Sequence, residues 1–188
     1  FSIFLALLSA VSVPFLKNGE QALRMIRVVQ AVVAALSAAL LAHLWSGDSF
    51  TFMMGHFPAP WGNELRAGPL EALLALAFSL VITGGAEDIR RDIREERQGQ
   101  YCLLMQLLYA ALLAMVYTND LFTAYVFVEI AAVTACIAVV AKESGRSVVA
   151  AIRYLVFSCL GSGLILLGIS MLYSVTGHLL MEDLGRAV

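Results

Sequence analysis

Charge is scarce in this sequence. Asp, Glu, Lys and Arg make up 14% of its 188 residues, against about 25% in ordinary soluble domains, and the formal net charge is -2. With 61% apolar residues and a mean hydropathy of +0.85, too little polar surface remains to cover a water-soluble globule. That excludes a soluble domain, a disordered chain and a basic nucleic-acid binder. Cysteine is also rare: Cys102, Cys136 and Cys159 lie in apolar stretches and form no C-x-x-C, so they read as small hydrophobes rather than disulfide partners or metal ligands. His43, His56 and His178 fall in separate segments without H-x-x-x-H spacing, so no zinc, haem or iron-sulfur ligand set is present. Neither G-x-S-G nor G-x-G-D occurs, which argues against an intramembrane protease. Gly161-Ser162-Gly163 lacks the third glycine and the preceding strand of a dinucleotide fingerprint.

What the chain does have is long apolar runs. Six blocks approach the roughly 20 residues that cross a bilayer as a helix: Phe1 to Leu16, Val28 to Trp45, Pro69 to Ala86, Gln100 to Thr118, Leu121 to Ala141 and Val148 to Val175. None alternates like a barrel strand. Backbone polar groups in lipid must be satisfied within the protein, so the expected fold is an all-α membrane protein of six transmembrane helices. Phe1 stands where a chain start would carry Met, and the apolar run begins with it, so the first helix is expected to be incomplete at its beginning. The chain divides into 1-99, helices one to three with a long loop and a charged extension, and 100-188, helices four to six.

Basic residues suggest the orientation, because short cytoplasmic loops are enriched in Lys and Arg. Lys17, Arg24, Arg27, Arg90, Arg91, Arg94, Arg97, Lys142, Arg146 and Arg153 fall at alternate junctions, and only Arg66 and Arg186 lie opposite. The expected location is the cytoplasmic membrane, with the start of the chain, the loop Ser46 to Gly68 and the tail from Thr176 facing outward. Phe52, Phe57 and Trp61 in that loop suit an interfacial aromatic belt. The run Glu87 to Arg97 reads as a solvated helix extension or a docking face. Ala34/Ala38, Ala35/Ala39 and Ser158/Ser162, with Gly161, Gly163 and Gly168, read as close helix-packing positions.

One residue stands out chemically. Glu129 lies eight residues into the fifth block, which at ~1.5 Å per residue places it ~12 Å from one boundary and near the midplane. A carboxylate at that depth costs several kcal/mol and is by default a functional residue. Tyr125, one turn back, is placed to hydrogen-bond or relay to it. Glu71, just after Pro69, and Arg153, near the start of the sixth block, are shallower and read as snorkelling groups or as parts of a water-filled access path. Asp120 is placed to cap the fifth helix.

The run Tyr117-Thr-Asn-Asp-Leu-Phe-Thr-Ala-Tyr-Val-Phe-Val-Glu129-Ile resembles the fifth-helix signature of the antiporter-like subunits shared by respiratory complex I, Mrp-type sodium/proton antiporters and energy-converting membrane-bound hydrogenases. Gly62-Asn-Glu-Leu-Arg-Ala-Gly-Pro-Leu-Glu-Ala-Leu, Ala151-Ile-Arg-Tyr-Leu and Tyr173-Ser-Val-Thr-Gly-His-Leu-Leu-Met-Glu-Asp-Leu184 resemble the family's third-helix entry, sixth-helix start and following segment, in the same order. The resemblance implies that this is the first part of a subunit of about fourteen helices built with inverted repeats. It also implies that Glu129 is a proton-pathway residue working with a lysine on a seventh helix, and that Arg153 replaces a basic residue usually found there. No lysine lies inside any apolar block here, and Gly68 stands where the family often has aspartate.

The expected function is therefore a proton- or sodium-translocating subunit of an energy-converting complex, with Glu129, Tyr125, Arg153 and Glu71 along the ion path. The competing reading is a membrane scaffold that only anchors partners, for which Glu129 is dispensable. The expected partners are other membrane subunits of a hetero-oligomeric complex, the lipid bilayer and H⁺ or Na⁺. No cofactor is expected in this chain, and any Fe-S, NiFe or flavin centre would belong to partner subunits.

Overall fold

The computed structural model describes residues 1–16, 18–45, 47, 49–54, 62–141 and 145–187, and the side chains of 87–92, 145 and 146 lie outside that description. Helices α1 (Ser2–Ser12), α2 (Gly19–His43), α3 (Pro69–Asp92), α4 (Glu95–Tyr117), α5 (Leu121–Val140) and α6 (Gly145–Thr176) are joined in sequence, and a short α7 (Met181–Ala187) follows. Five helices are long and apolar enough to cross a membrane, and the sixth apolar helix, Ser2–Phe15, is shorter. Two boundaries differ from the sequence reading. Helix α2 begins at Gly19, nine residues before Val28, so Arg24 and Arg27 are helical rather than loop residues; Arg24 forms an exposed i,i+4 pair with Glu20. Helix α3 runs through the charged stretch to Asp92, and α4 starts at Glu95, so the expected extension is helical on both sides of a tight break.

Helix α4 is the centre of the bundle. It packs against α1, α2, α3 and α5, and 39% of its most apolar stretch is buried, against 11% for α6. Small residues let its neighbours approach: Ala110, Ala111 and Ala114 on α4 and Ala72, Ala75 and Ala86 on α3 are all buried. Ala6, Val33, Ala75, Ile82, Leu113 and Tyr117 close one core, and Val13, Ala22, Leu23, Ile26, Ile93 and Cys102 close a second. Of the expected packing positions on α2 and α6, Ser162 is buried and Ala34 and Ser158 are partly buried, but the others stay open within these helices. Ala35, Ala38 and Ala39 are exposed, and a Cβ at Gly161, Gly163 or Gly168 would meet nothing within 4 Å.

The loop after α2 contains an antiparallel hairpin, β1 (Phe50–Met53) and β2 (Glu64–Ala67), with Phe50 opposite Ala67 and Met53 opposite Glu64. Phe52 is exposed, as an aromatic belt requires; Phe57 and Trp61 lie outside the described residues. The α4–α5 connection is pinned between this hairpin and the α6–α7 connection. The Asn119 N–H donates to the Glu64 carbonyl at 2.9 Å, the Leu121 N–H to Leu179 at 2.9 Å and the Met181 N–H to Asn119 at 2.9 Å. Asn119 Nδ2 also donates to Glu64 Oε1 at 2.9 Å. Asp120 caps α5 as expected, its Oδ1 accepting from the Thr123 N–H at 2.6 Å. Asp120→Ala should cost about 0.5–2 kcal/mol of stability, read as a lower thermal midpoint of the solubilised protein, whereas Asp120→Asn should retain most of it.

Candidate functional site

Capping and pinning at residues 118–120 set the depth of everything on α5. From that end Glu129 lies ~12 Å along the helix, with ~17 Å remaining to Val140, so its carboxyl is held near the middle of an apolar span. The side chain is half-buried. Its Oε1 is fully enclosed and has no hydrogen-bond partner, and among the described residues it makes no hydrogen bond or ion pair. An enclosed carboxyl oxygen without a donor is energetically costly in a low-dielectric interior. A cation or hydrogen-bond donor from outside these helices would satisfy it.

Tyr125, expected to hydrogen-bond or relay to Glu129, is not joined to it among the described residues, and the shallower Arg153 and Glu71 stand apart. Tyr125 stacks at a tilt on Phe122, with ring centroids 6.2 Å apart, and makes no hydrogen bond with Glu129. Arg153 is exposed on α6 and forms no ion pair within 4 Å among the described residues. Glu71 lies at the hairpin end of α3, where it helps to line a cavity of about 460 Å³. A Cβ at Gly68 would stand 2.7 Å from Glu71 Oε2 and 3.5 Å from Ser49 Cβ, so any side chain at 68 displaces that carboxylate.

Helices α5 and α6 adjoin one another, and the Cys136 thiol lies 3.4 Å from the Ala151 carbonyl across that seam. Beyond it the outer face of α6 is bare: Leu155, Phe157, Leu160, Leu164, Ile165 and Leu167 are all exposed. In lipid this is an acceptable surface. The exposed arginine among these side chains is not, unless it reaches water, a headgroup or an anionic partner.

Sequence reasoning missed a second set of buried polar side chains, at the α2–α3–α4 interface. Gln30 and Gln106 are fully buried, and Gln30 Nε2 donates to Gln106 Oε1 at 3.3 Å. The second half of the amide pair is open, since Gln30 Oε1 and Gln106 Nε2 have no partner. One turn along α4, the Tyr109 hydroxyl and Ser79 Oγ share a hydrogen bond of 2.6 Å. Toward the hairpin end, Ser37 Oγ is enclosed without a partner in hydrogen-bond geometry although it lies beside Tyr117. The signal was available: a glutamine inside an apolar membrane run is a candidate for a hydrogen bond across helices. Among the described residues no group of three His, Cys, Asp or Glu side chains is close enough to hold a metal ion.

Residues 118–188 match the family described as NADH:quinone oxidoreductase/Mrp antiporter, transmembrane. Over 181 residues the chain is 36% identical to NADH-quinone oxidoreductase subunit N of Desulforudis audaxviator, covering 95% of this chain and 35% of that protein. Almost the whole chain is thus similar to the antiporter-like membrane subunits. It is also 27% identical over 184 residues to a Na(+)/H(+) antiporter subunit of Bacillus subtilis, covering 97% of this chain and 37% of that protein. A chain of the membrane-bound sulfane sulfur reductase, an archaeal respiratory membrane complex, superposes with a TM-score of 0.89 at 27% identity, over 98% of this chain and 39% of that one. The fold recurs in the Mrp complex from Dietzia sp. at a TM-score of 0.85 and 21% identity, over 95% of this chain and 34% of that one. The chain thus spans about a third of the length of the curated relatives it matches. As a multi-pass membrane chain, it has the fold of proteins that sit among other membrane subunits.

Proposed function

We propose that this chain is part of a proton- or sodium-translocating subunit of an energy-converting complex in the cytoplasmic membrane, and that Glu129 relays the ion. The observation that carries the proposal is the carboxyl of Glu129, held mid-span with Oε1 enclosed and without a donor. Gln30, Gln106 and Ser37 also carry enclosed atoms without a partner, but an amide or a hydroxyl cannot take up and release an ion as a mid-span carboxyl can. The bare face of α6 and the exposed Arg153 support further helices, from the same or another polypeptide, packed there. In this reading they supply the cationic partner of Glu129. Tyr125 lines the approach along α5, and Arg153 sits at the basic end of the path. Glu71, at the hairpin end of α3 beside a cavity, would stand at the outer end of the path. The direct test is coupled ion uptake by vesicles containing the assembled Glu129→Gln protein.

The relay also needs an orientation. The basic bias of the junctions supports placing the α1–α2, α3–α4 and α5–α6 ends in the cytoplasm and the hairpin outside. A cysteine introduced at Gly145 should react with a membrane-impermeant thiol reagent only from the cytoplasmic side, and one at Ser49 only from outside. The reverse labelling pattern would overturn this orientation.

A further inference from the structure

We infer that the cavity at the hairpin end of α3 and α4 binds a phospholipid with a zwitterionic headgroup bearing a primary ammonium, of the phosphatidylethanolamine type. The inference is independent of the ion relay. The cavity has a polar mouth and an apolar body. Leu70, Leu74 and Phe78 line it from α3 and Met115 and Val116 from α4, while Arg66, Glu71, Asn119 and Glu182 stand around its mouth. Leu70, Leu74 and Phe78 recur every fourth residue, so they form one stripe ~12 Å long that descends into the membrane from the mouth. That shape is a groove for the upper part of an acyl chain.

An acyl chain gains little by leaving other lipid tails for a leucine-lined groove, because the two are equally apolar. Selectivity must therefore come from the mouth, and its charges can be assigned. Arg186 pairs with Glu182 at 2.6 Å, which neutralises that carboxylate. Asn119 is committed to Glu64. Arg66 and Glu71 remain, and neither has an ion pair or hydrogen bond among the described residues. They leave one positive and one negative group at the rim of a space of about 460 Å³. A phosphate suits the planar guanidinium of Arg66, which can grip two of its oxygens. An ammonium suits the Glu71 carboxylate, which accepts its N–H bonds. A choline headgroup has the positive charge but no N–H to donate, and an anionic lipid leaves Glu71 unmatched. The preferred occupant is thus the lipid whose headgroup offers both a phosphate and N–H donors on its cation.

The test places a photoreactive diazirine amino acid at Leu74 of the intact protein in nanodiscs of equimolar dioleoyl phosphatidylethanolamine, phosphatidylcholine and phosphatidylglycerol, and identifies the adducts by mass spectrometry. Ethanolamine lipid should exceed each of the others by about two- to five-fold, the range of a partly exposed charge pair. Glu71→Gln should equalise ethanolamine and choline lipids while adducts persist. Arg66→Gln should lower the yield of all phospholipid adducts. Adducts in proportion to the bulk composition would mean annular lipid only and would overturn the assignment. So would enrichment of phosphatidylglycerol, or cross-linking of position 74 to protein instead of lipid. Because both variants sit at the mouth rather than in the core, a normal thermal midpoint for each separates loss of the headgroup contact from loss of the fold.

Discussion

Glu129→Gln should assemble at wild-type abundance yet lose coupled ion transport, by on the order of a hundredfold if the carboxyl is the relay. The amide keeps the size and hydrogen-bonding capacity of the acid and removes only its titration. Stability is expected to move the other way from activity. Oε1 of Glu129 is enclosed with no donor, so a neutral group at the same place is at worst mildly unfavourable and can be stabilising. Glu129→Asp keeps the acid but withdraws it by one methylene, and intermediate transport is expected. The measurement is ion or proton uptake in vesicles, alongside the abundance of the assembled protein. Normal transport by a normally assembled Glu129→Gln protein would reject the relay and leave the scaffold reading standing. Poor assembly of both variants would assign Glu129 a packing role.

Much of this architecture was legible because the membrane leaves the chain few options. Length and hydropathy located the spans, since an apolar run can only be a helix in lipid. The Asp120 cap followed from a short polar side chain ahead of such a run. Charge was a poorer guide to boundaries than apolarity: Arg24 and Arg27 suggested a loop, but arginine is a good helix former and can reach water from a helix end. The small-residue spacing on α2 and α6 also misled. It marks where a helix is able to approach another; Ser162 is buried, whereas Ala35, Ala38 and Ala39 stay exposed and Gly163 meets no neighbour among the described residues. For the candidate site, depth along α5 was readable from residue count alone, whereas partnership was not. Tyr125 is one turn from Glu129 in sequence yet turns to Phe122, because a four-residue spacing brings side chains near without obliging them to bond. Glu71 reads as shallower than Glu129 because it follows Pro69 at the start of its helix, and its depth was legible in the same way. The bundle keeps them apart, placing one at the mouth of a cavity and the other mid-span.

The buried amide pair gives the sharpest stability test. Gln30 and Gln106 tie α2 to the central helix through one hydrogen bond of 3.3 Å, with both side chains fully enclosed. Gln106→Leu removes the acceptor and leaves the Gln30 amide with neither its N–H nor its oxygen paired, in a region where no bulk water can compensate. The expected loss is about 1–3 kcal/mol for the orphaned group, and Gln30→Leu should cost a similar amount by leaving Gln106 alone. The double variant removes both polar groups together. It also removes the unpaired Gln30 Oε1 and Gln106 Nε2 present in the native pair, so it should be more stable than either single variant and near the wild type. A double-mutant cycle on the thermal or denaturant unfolding of the solubilised protein reads this directly: the coupling should be large and favourable to the matched pairs. Additive losses would mean that the two glutamines contribute only by filling space. In that event the hold of α2 on α4 must come from Ile26, Val33, Leu113 and the small residues around them.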